Sequence, residues 1–213
     1  MWLGPALEVG VLAGLVARGR VRRLWSLPLL LVGLLLSGLL VAVWPTLRTW
    51  RFWTAKETAH AVLFFVLGLE IVVRVFSRLP FAALATRASI GVLALVTIVL
   101  LLLPPHGHPA LTLVPRLLAS AAWLYLGVLA IRLLFIVPLD PLHKTVLVAV
   151  GPYMMFYAYT WGRVDSREAV AHVGYLNAMA FILVLGALLW AAWRDEPAPE
   201  AAPETVRFLW PWS

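Results

Sequence analysis

The sequence predicts an all-α fold, a polytopic transmembrane helix bundle of about seven spans, and three observations carry that prediction. The chain has 213 residues, of which 63% are hydrophobic and only 13% charged, whereas a soluble domain carries about a quarter charged. So short a chain cannot hide that much apolar surface in a core of its own. Lipid accepts it, because helices satisfy their own backbone hydrogen bonds there. The apolar residues also arrive in runs of about 20, the length that crosses a bilayer, broken by proline, glycine and arginine clusters.

The expected spans are about residues 2–17, 25–44, 52–76, 84–103, 115–137, 142–161 and 168–193. The first is the shortest. Pro45, Pro80, Pro104, Pro105, Pro109, Pro138, Pro141 and Gly162 break the chain between most of the others. Pro115 suits a first helical turn, where its missing N–H costs little. Trp2, Trp25, Trp44, Trp50, Trp53, Trp161, Trp190 and Trp193 fall near span ends, as interfacial aromatic belts do. Trp123 falls inside the fifth span.

Basic residues orient the bundle. The first connection, RGRVRR, holds Arg18, Arg20, Arg22 and Arg23. Placing it in the cytoplasm also brings Arg74, Arg78, Arg87, Arg132, Lys144 and Arg194 to that side, against Arg48, Arg51, Lys56, Arg116, Arg163 and Arg167 opposite. The bias predicts the N-terminus outside and the C-terminus cytoplasmic. The net charge of +7 therefore reads as membrane orientation and not as a nucleic-acid partner. A cleavable signal peptide is not expected, because the arginines follow the first apolar stretch. With no cysteine there are no disulfides, thiolate metal sites or cysteine nucleophiles.

Residues 1–194 make the transmembrane domain, and 195–213 form a Pro/Ala/Glu-rich tail whose composition disfavours a packed core. Its aromatic tip, Phe208, Leu209, Trp210 and Trp212, reads either as a membrane-touching end or as a docking peptide for a membrane protein partner.

Ionisable and polar groups inside spans are costly and usually face the bundle interior or water. The ligand-binding candidates in the outer half are Glu8, Glu57, His60, Tyr153, Tyr157, His172, Tyr175 and Asn177. Glu57 and His60 share a helix face, as do Glu168, His172, Tyr175 and Met179. If both faces point inward, one polar pocket opens toward the outside. The competing reading is interhelical hydrogen-bond glue.

A metal would draw on Glu57, His60 and His172, with Glu8 beside them. Di-iron bundles, however, need two Glu-x-x-His motifs, and this chain has one. His60 and His172 could clamp a haem if they lie at similar depth. No cofactor is expected otherwise. Bilayer zinc hydrolases carry His-x-x-x-His in the last helix, whereas here Glu168 and Leu176 flank His172. A retinal Schiff base needs a lysine in that helix, and there is none.

Deeper toward the cytoplasmic side, Glu70 and Arg74 are spaced as a structural ion pair in the favourable order. Gly151 and Pro152 interrupt the sixth span as a bend or hinge, beside the aromatic and methionine wall YMMFYAYTW.

The short first helix, the ARGRVRR turn, SLP, FWTAKE and LGLEI together resemble a group of small bacterial seven-helix membrane proteins of unassigned function. The resemblance covers roughly the first third of the chain. It implies the topology and the bacterial cytoplasmic membrane, and no activity.

Three functions follow from these features. The first is a non-enzymatic, receptor- or sensor-like bundle that binds a small ligand or lipid in an outer-facing pocket. The second is an accessory or scaffold subunit of a larger membrane complex. The third, a metal- or haem-binding membrane protein, ranks behind both. Transport would need paired interrupted helices, and only one interruption is present.

Overall fold

The computed structural model describes residues 3–76, 91–92, 95–96, 98–99, 109–135, 139–161 and 167–195. Six helices are described end to end: α1 (Leu3–Ala17), α2 (Ser26–Val43), α3 (Trp50–Phe76), α4 (Pro109–Phe135), α5 (Pro141–Trp161) and α6 (Arg167–Trp193). No strand occurs among the described residues. The span expected at 84–103 lies outside them, apart from a few helical positions between 91 and 99. The tail from residue 196, with Phe208, Leu209, Trp210 and Trp212, lies outside them entirely.

The helices close a ring. Each packs on the next in sequence, and α6 returns to α1. Four of them, α2, α3, α4 and α6, are long and apolar enough to cross a membrane. Their outer faces carry Leu36, Leu39, Val73, Leu183 and Trp190 uncovered by protein, a surface that suits lipid contact. Only 22% of Ser26–Val43 is buried, so α2 turns most of its surface outward. α5 is the opposite case. It carries His143, Lys144 and three tyrosines, and Val146, Leu147, Val150, Met154 and Trp161 sit deep in the core.

Expected and observed ends agree within about two residues, except at α4. The sequence places Pro115 in its first turn, but the helix begins at Pro109 and carries Pro115 inside. Pro109 and Pro141 each open a helix, where the missing N–H has no intrahelical acceptor to lose. α5 runs unbroken through Gly151-Pro152. Gly151 there lets α4 close in, since a Cβ would stand 3.3 Å from Tyr125 Cβ. The buried Tyr125 hydroxyl in turn donates to the Phe64 carbonyl at 3.2 Å, tying α4 to α3.

The arginine-rich turn is a structural knot. Gly19 adopts φ 62° after α1, a conformation that glycine takes without a Cβ clash. Arg20 N–H bonds Leu15 O at 2.8 Å and Gly19 N–H bonds Val16 O at 3.0 Å, the paired bonds of a Schellman ending. This turn aims Arg20, only 5% exposed, at the C-terminus of α6. Its guanidinium donates to the carbonyls of Ala191 at 2.7 Å and Arg194 at 2.8 Å. Arg18 pairs with Asp195 at 2.5 Å beside it. Arg74 pairs with Glu70 at 2.7 Å and reaches the Arg22 carbonyl at 3.2 Å. The turn read from sequence as an orientation signal is thus also the joint between α1, α2, α3 and α6.

Candidate functional site

At the opposite end of the bundle, a cavity of about 560 Å³ lies between α1, α2, α3, α5 and α6. Helical spacing delivers its polar lining. On α3, Lys56, Glu57 and His60 occupy one turn above Phe64. On α5, Tyr153, Tyr157 and Trp161 recur every four residues. On α6, Gly174, Asn177 and Phe181 follow at intervals of three and four. α1 contributes Glu8, and α2 contributes Ser37 and Gly38.

Most of these groups are already engaged. Glu57 uses both oxygens: one accepts from the Tyr157 hydroxyl, the other pairs with Lys56 Nζ at 2.8 Å. The Thr160 hydroxyl reaches Asn177 Oδ1 at 3.1 Å, joining α5 to α6. The Ser37 hydroxyl lies 2.8 Å from the Leu34 carbonyl and 3.1 Å from His60 Nε2, and the second contact ties α3 to α2.

Three groups are not engaged, one of them the Trp161 Nε1–H, which is buried without a hydrogen-bond partner among the described residues. Glu8 is 8% exposed, lines the cavity, and has no hydrogen bond or ion pair among the described residues. The Tyr153 hydroxyl likewise has no protein partner among them, although its ring packs at 5.3 Å from Phe181 and 5.5 Å from Tyr157. The aromatic wall continues outward from Tyr157 to Trp161, to Trp53 at 4.8 Å, and on to Trp50 at 4.8 Å.

Of the eight side chains expected from sequence to line a pocket, the cavity gathers Glu8, Glu57, His60, Tyr153, Tyr157 and Asn177. It does not gather His172 and Tyr175. These lie on an exposed flank of α6, with Tyr175 76% and Met179 67% exposed. The stripe of α6 that faces inward is offset from theirs, and Asn177 is its one polar member expected from sequence. With His172 outside the cavity, no described histidine faces His60 there to hold a haem. Among the described residues, no group of three histidine or acidic side chains converges as a metal site. Ser37, Lys56, Trp53, Trp161 and Phe181 belong to the lining without having been singled out for it. The two tryptophans had read only as interfacial belt residues, and their stacking was not visible from spacing.

A second, shallower groove of about 470 Å³ adjoins the first across Trp53 and Lys56. Arg48, Thr49 and Trp50 line it, at the turn between α2 and α3.

The remaining charged cluster belongs to the arginine end. Asp140 caps α5, accepting from Leu142 N–H at 2.7 Å, and its other oxygen lies 3.2 Å from His143 Nδ1. Arg23 stands 3.7 Å from the same carboxylate. Burial alone would raise the Asp140 pKa. The hydrogen bond and charge of His143 and the two backbone N–H groups outweigh burial and hold it at about 2.

No protein-family model matches the chain, and no curated protein or solved structure is similar to it.

Proposed function

We propose that this chain is a non-enzymatic, receptor- or sensor-like integral membrane bundle that binds a small ligand or lipid in the cavity at its Trp53 end. In this reading the bundle has about seven spans, lies in a bacterial cytoplasmic membrane, and keeps the arginine turn cytoplasmic and the cavity outward. One observation carries it: a cavity of about 560 Å³ bordered by five helices, lined by a buried carboxyl and a tyrosine hydroxyl that have no protein partner among the described residues. Polar groups that serve only as interhelical glue find partners, as His60 and Ser37 do. A cavity of this size lies in the range that holds small ligands. A ligand there touches the ends of five helices, which is what a sensor needs in order to bias their packing.

The test fills the cavity without disturbing its walls. A Cβ placed at Gly38 or Gly174, both lining residues, meets no atom within 4 Å. Gly186, on the exposed side of α6, is equally free and serves as control. Native mass spectrometry of the detergent-purified protein should detect a bound small molecule in the wild type and in Gly186→Leu. It should be lost in Gly174→Leu. Equal occupancy in all three proteins would remove the cavity as the binding site.

A further inference from the structure

The lining of the cavity points to the charge of what it binds. We infer that its ligand is an organic ammonium, a quaternary or alkylated amine carried on an apolar body; this rests on the ligand-binding reading above. The charged lining consists of Glu8, Glu57 and Lys56. Lys56 is matched by Glu57 at 2.8 Å, which leaves Glu8 as the acidic group of the lining without a partner among the described residues. A buried carboxylate without a partner is costly, and a cation supplies what it lacks.

The rest of the wall favours an organic cation. Trp53, Trp161, Tyr157, Tyr153 and Phe181 form one connected aromatic surface, with centroid spacings from 4.8 to 6.5 Å. Aromatic rings attract ammonium groups through their quadrupoles and gain most when the site is desolvated. A hard metal ion would need several oxygen ligands, and no such group converges among the described residues. An anion would meet Glu8 and Glu57, and against them only a lysine already neutralised and the uncharged Trp161 Nε1–H. The cavity also exceeds the bulk of a bare ammonium group, and Leu34, Ala178 and Phe181 leave room for an apolar body.

Soluble amines and choline headgroups both carry an ammonium group, and the test separates the two. The full chain is reconstituted in nanodiscs of phosphatidylglycerol, which contains no ammonium. Choline and its uncharged isostere, in which carbon replaces the quaternary nitrogen, are titrated against tryptophan fluorescence, which Trp53 and Trp161 should report. Choline should bind at least about tenfold more tightly than the isostere, and the near-isosteric Glu8→Gln should erase that preference. Adding phosphatidylcholine to the discs should then either compete, which assigns the site to the lipid headgroup, or not compete, which assigns it to a soluble amine. Equal binding of choline and isostere would overturn the ammonium assignment and leave the cavity reading standing. No binding of either would also overturn it, and the cavity would then be judged by Gly174→Leu alone. An unchanged preference in Glu8→Gln would remove Glu8 as the recognising group.

Discussion

Glu70 on α3 caps α2 through Ser26. Its Oε2 accepts from the Ser26 backbone N–H at 3.0 Å and from the Ser26 hydroxyl, while Oε1 takes Arg74 Nε at 2.9 Å. Ser26 is 1% exposed and Glu70 9%, so neither can exchange its partner freely for water. A helix beginning inside apolar surroundings must have its first N–H groups satisfied. Here the acceptor comes from a neighbouring helix, because Trp25 at the N-cap position offers none.

Replacing Glu70 should therefore do more than break an ion pair. Glu70→Leu strands the Ser26 N–H and takes the carboxylate from Arg74, which keeps the Arg22 carbonyl, and should cost on the order of 3 kcal/mol. Glu70→Gln keeps an acceptor for Ser26 and should cost about half as much. Unfolding of the reconstituted protein by SDS titration reads both values. Equal losses would mean that the charge, and not the cap, is what α2 requires.

Gly10 and Gly14 set how closely α1 and α6 approach. Trp193 Nε1 donates to the Gly10 carbonyl at 2.9 Å. A Cβ at Gly14 would stand 2.8 Å from Trp193 Nε1 and 3.0 Å from Ala192 Cβ. Gly14→Val should destabilise the protein by about 1–3 kcal/mol through overpacking and shift the emission of Trp193 as its hydrogen bond stretches. Gly10→Ala meets only the flexible end of Leu189 at 3.0 Å and should be milder. The same SDS titration, read by fluorescence, separates the two.

Much of this was legible in the chain, for physical reasons. Apolar runs bounded by prolines and arginines mark helices well, because a bilayer-length run can fold in few other ways. The start of α4 is not legible, because Pro109 and Pro115 are both compatible with a first turn and the pattern cannot choose between them. In the site, Glu57 with His60 and Tyr153 with Tyr157 were recoverable from helical spacing alone. The face of α6 was not. An inward-facing rule selected His172 and Tyr175, but both lie near a helix end, where a polar side chain can reach water without turning inward. Small residues at Gly174 and Ala178, which make room for a cavity, carried the better signal. Arg20 was hidden for a different reason: a lone arginine in a basic turn looks the same whether it faces headgroups or caps another helix.

The Tyr157–Glu57 contact ties α5 to α3 at the cavity wall. Tyr157→Phe removes the donor but leaves Glu57 with Lys56 at 2.8 Å. A double-mutant cycle with Glu57→Gln should return a coupling of about 1–3 kcal/mol. Additive losses would show that the hydroxyl and carboxylate do not support one another.

Asp140 lies in the connection between α4 and α5, and its carboxyl is held at about 2, below the ordinary 3.8. A depressed folded pKa means that the unfolded chain binds the proton first. The stabilisation is therefore complete above about pH 4 and is lost as pH falls toward about 2. Its size is on the order of 2 kcal/mol. Asp140→Asn preserves the N-cap, since asparagine caps as well as aspartate, and removes only the charge. The variant should be less stable than wild type at neutral pH, and the difference should vanish near pH 2. A difference that persists into acid would assign the effect to capping geometry.

Arg20 is the residue on which the end of α6 depends. Its guanidinium serves three carbonyls, those of Ala191, Ala192 and Arg194, which no further turn of helix would otherwise satisfy. Its positive charge also lies at the negative end of the helix dipole. Lysine carries the charge but not the fork, and a shorter reach to spread among separate acceptors. Arg20→Lys should keep the dipole contribution and lose part of the hydrogen bonding, at about 1–2 kcal/mol. Arg20→Ala should lose both and cost on the order of 3 kcal/mol. Hydrogen exchange distinguishes this from a general weakening of the fold. Amides in the last turns of α6 should exchange faster in Arg20→Ala, while those around Tyr125 keep the protection set by global stability. Uniform acceleration across all helices would mean that Arg20 supports the bundle as a whole and not the terminus of α6.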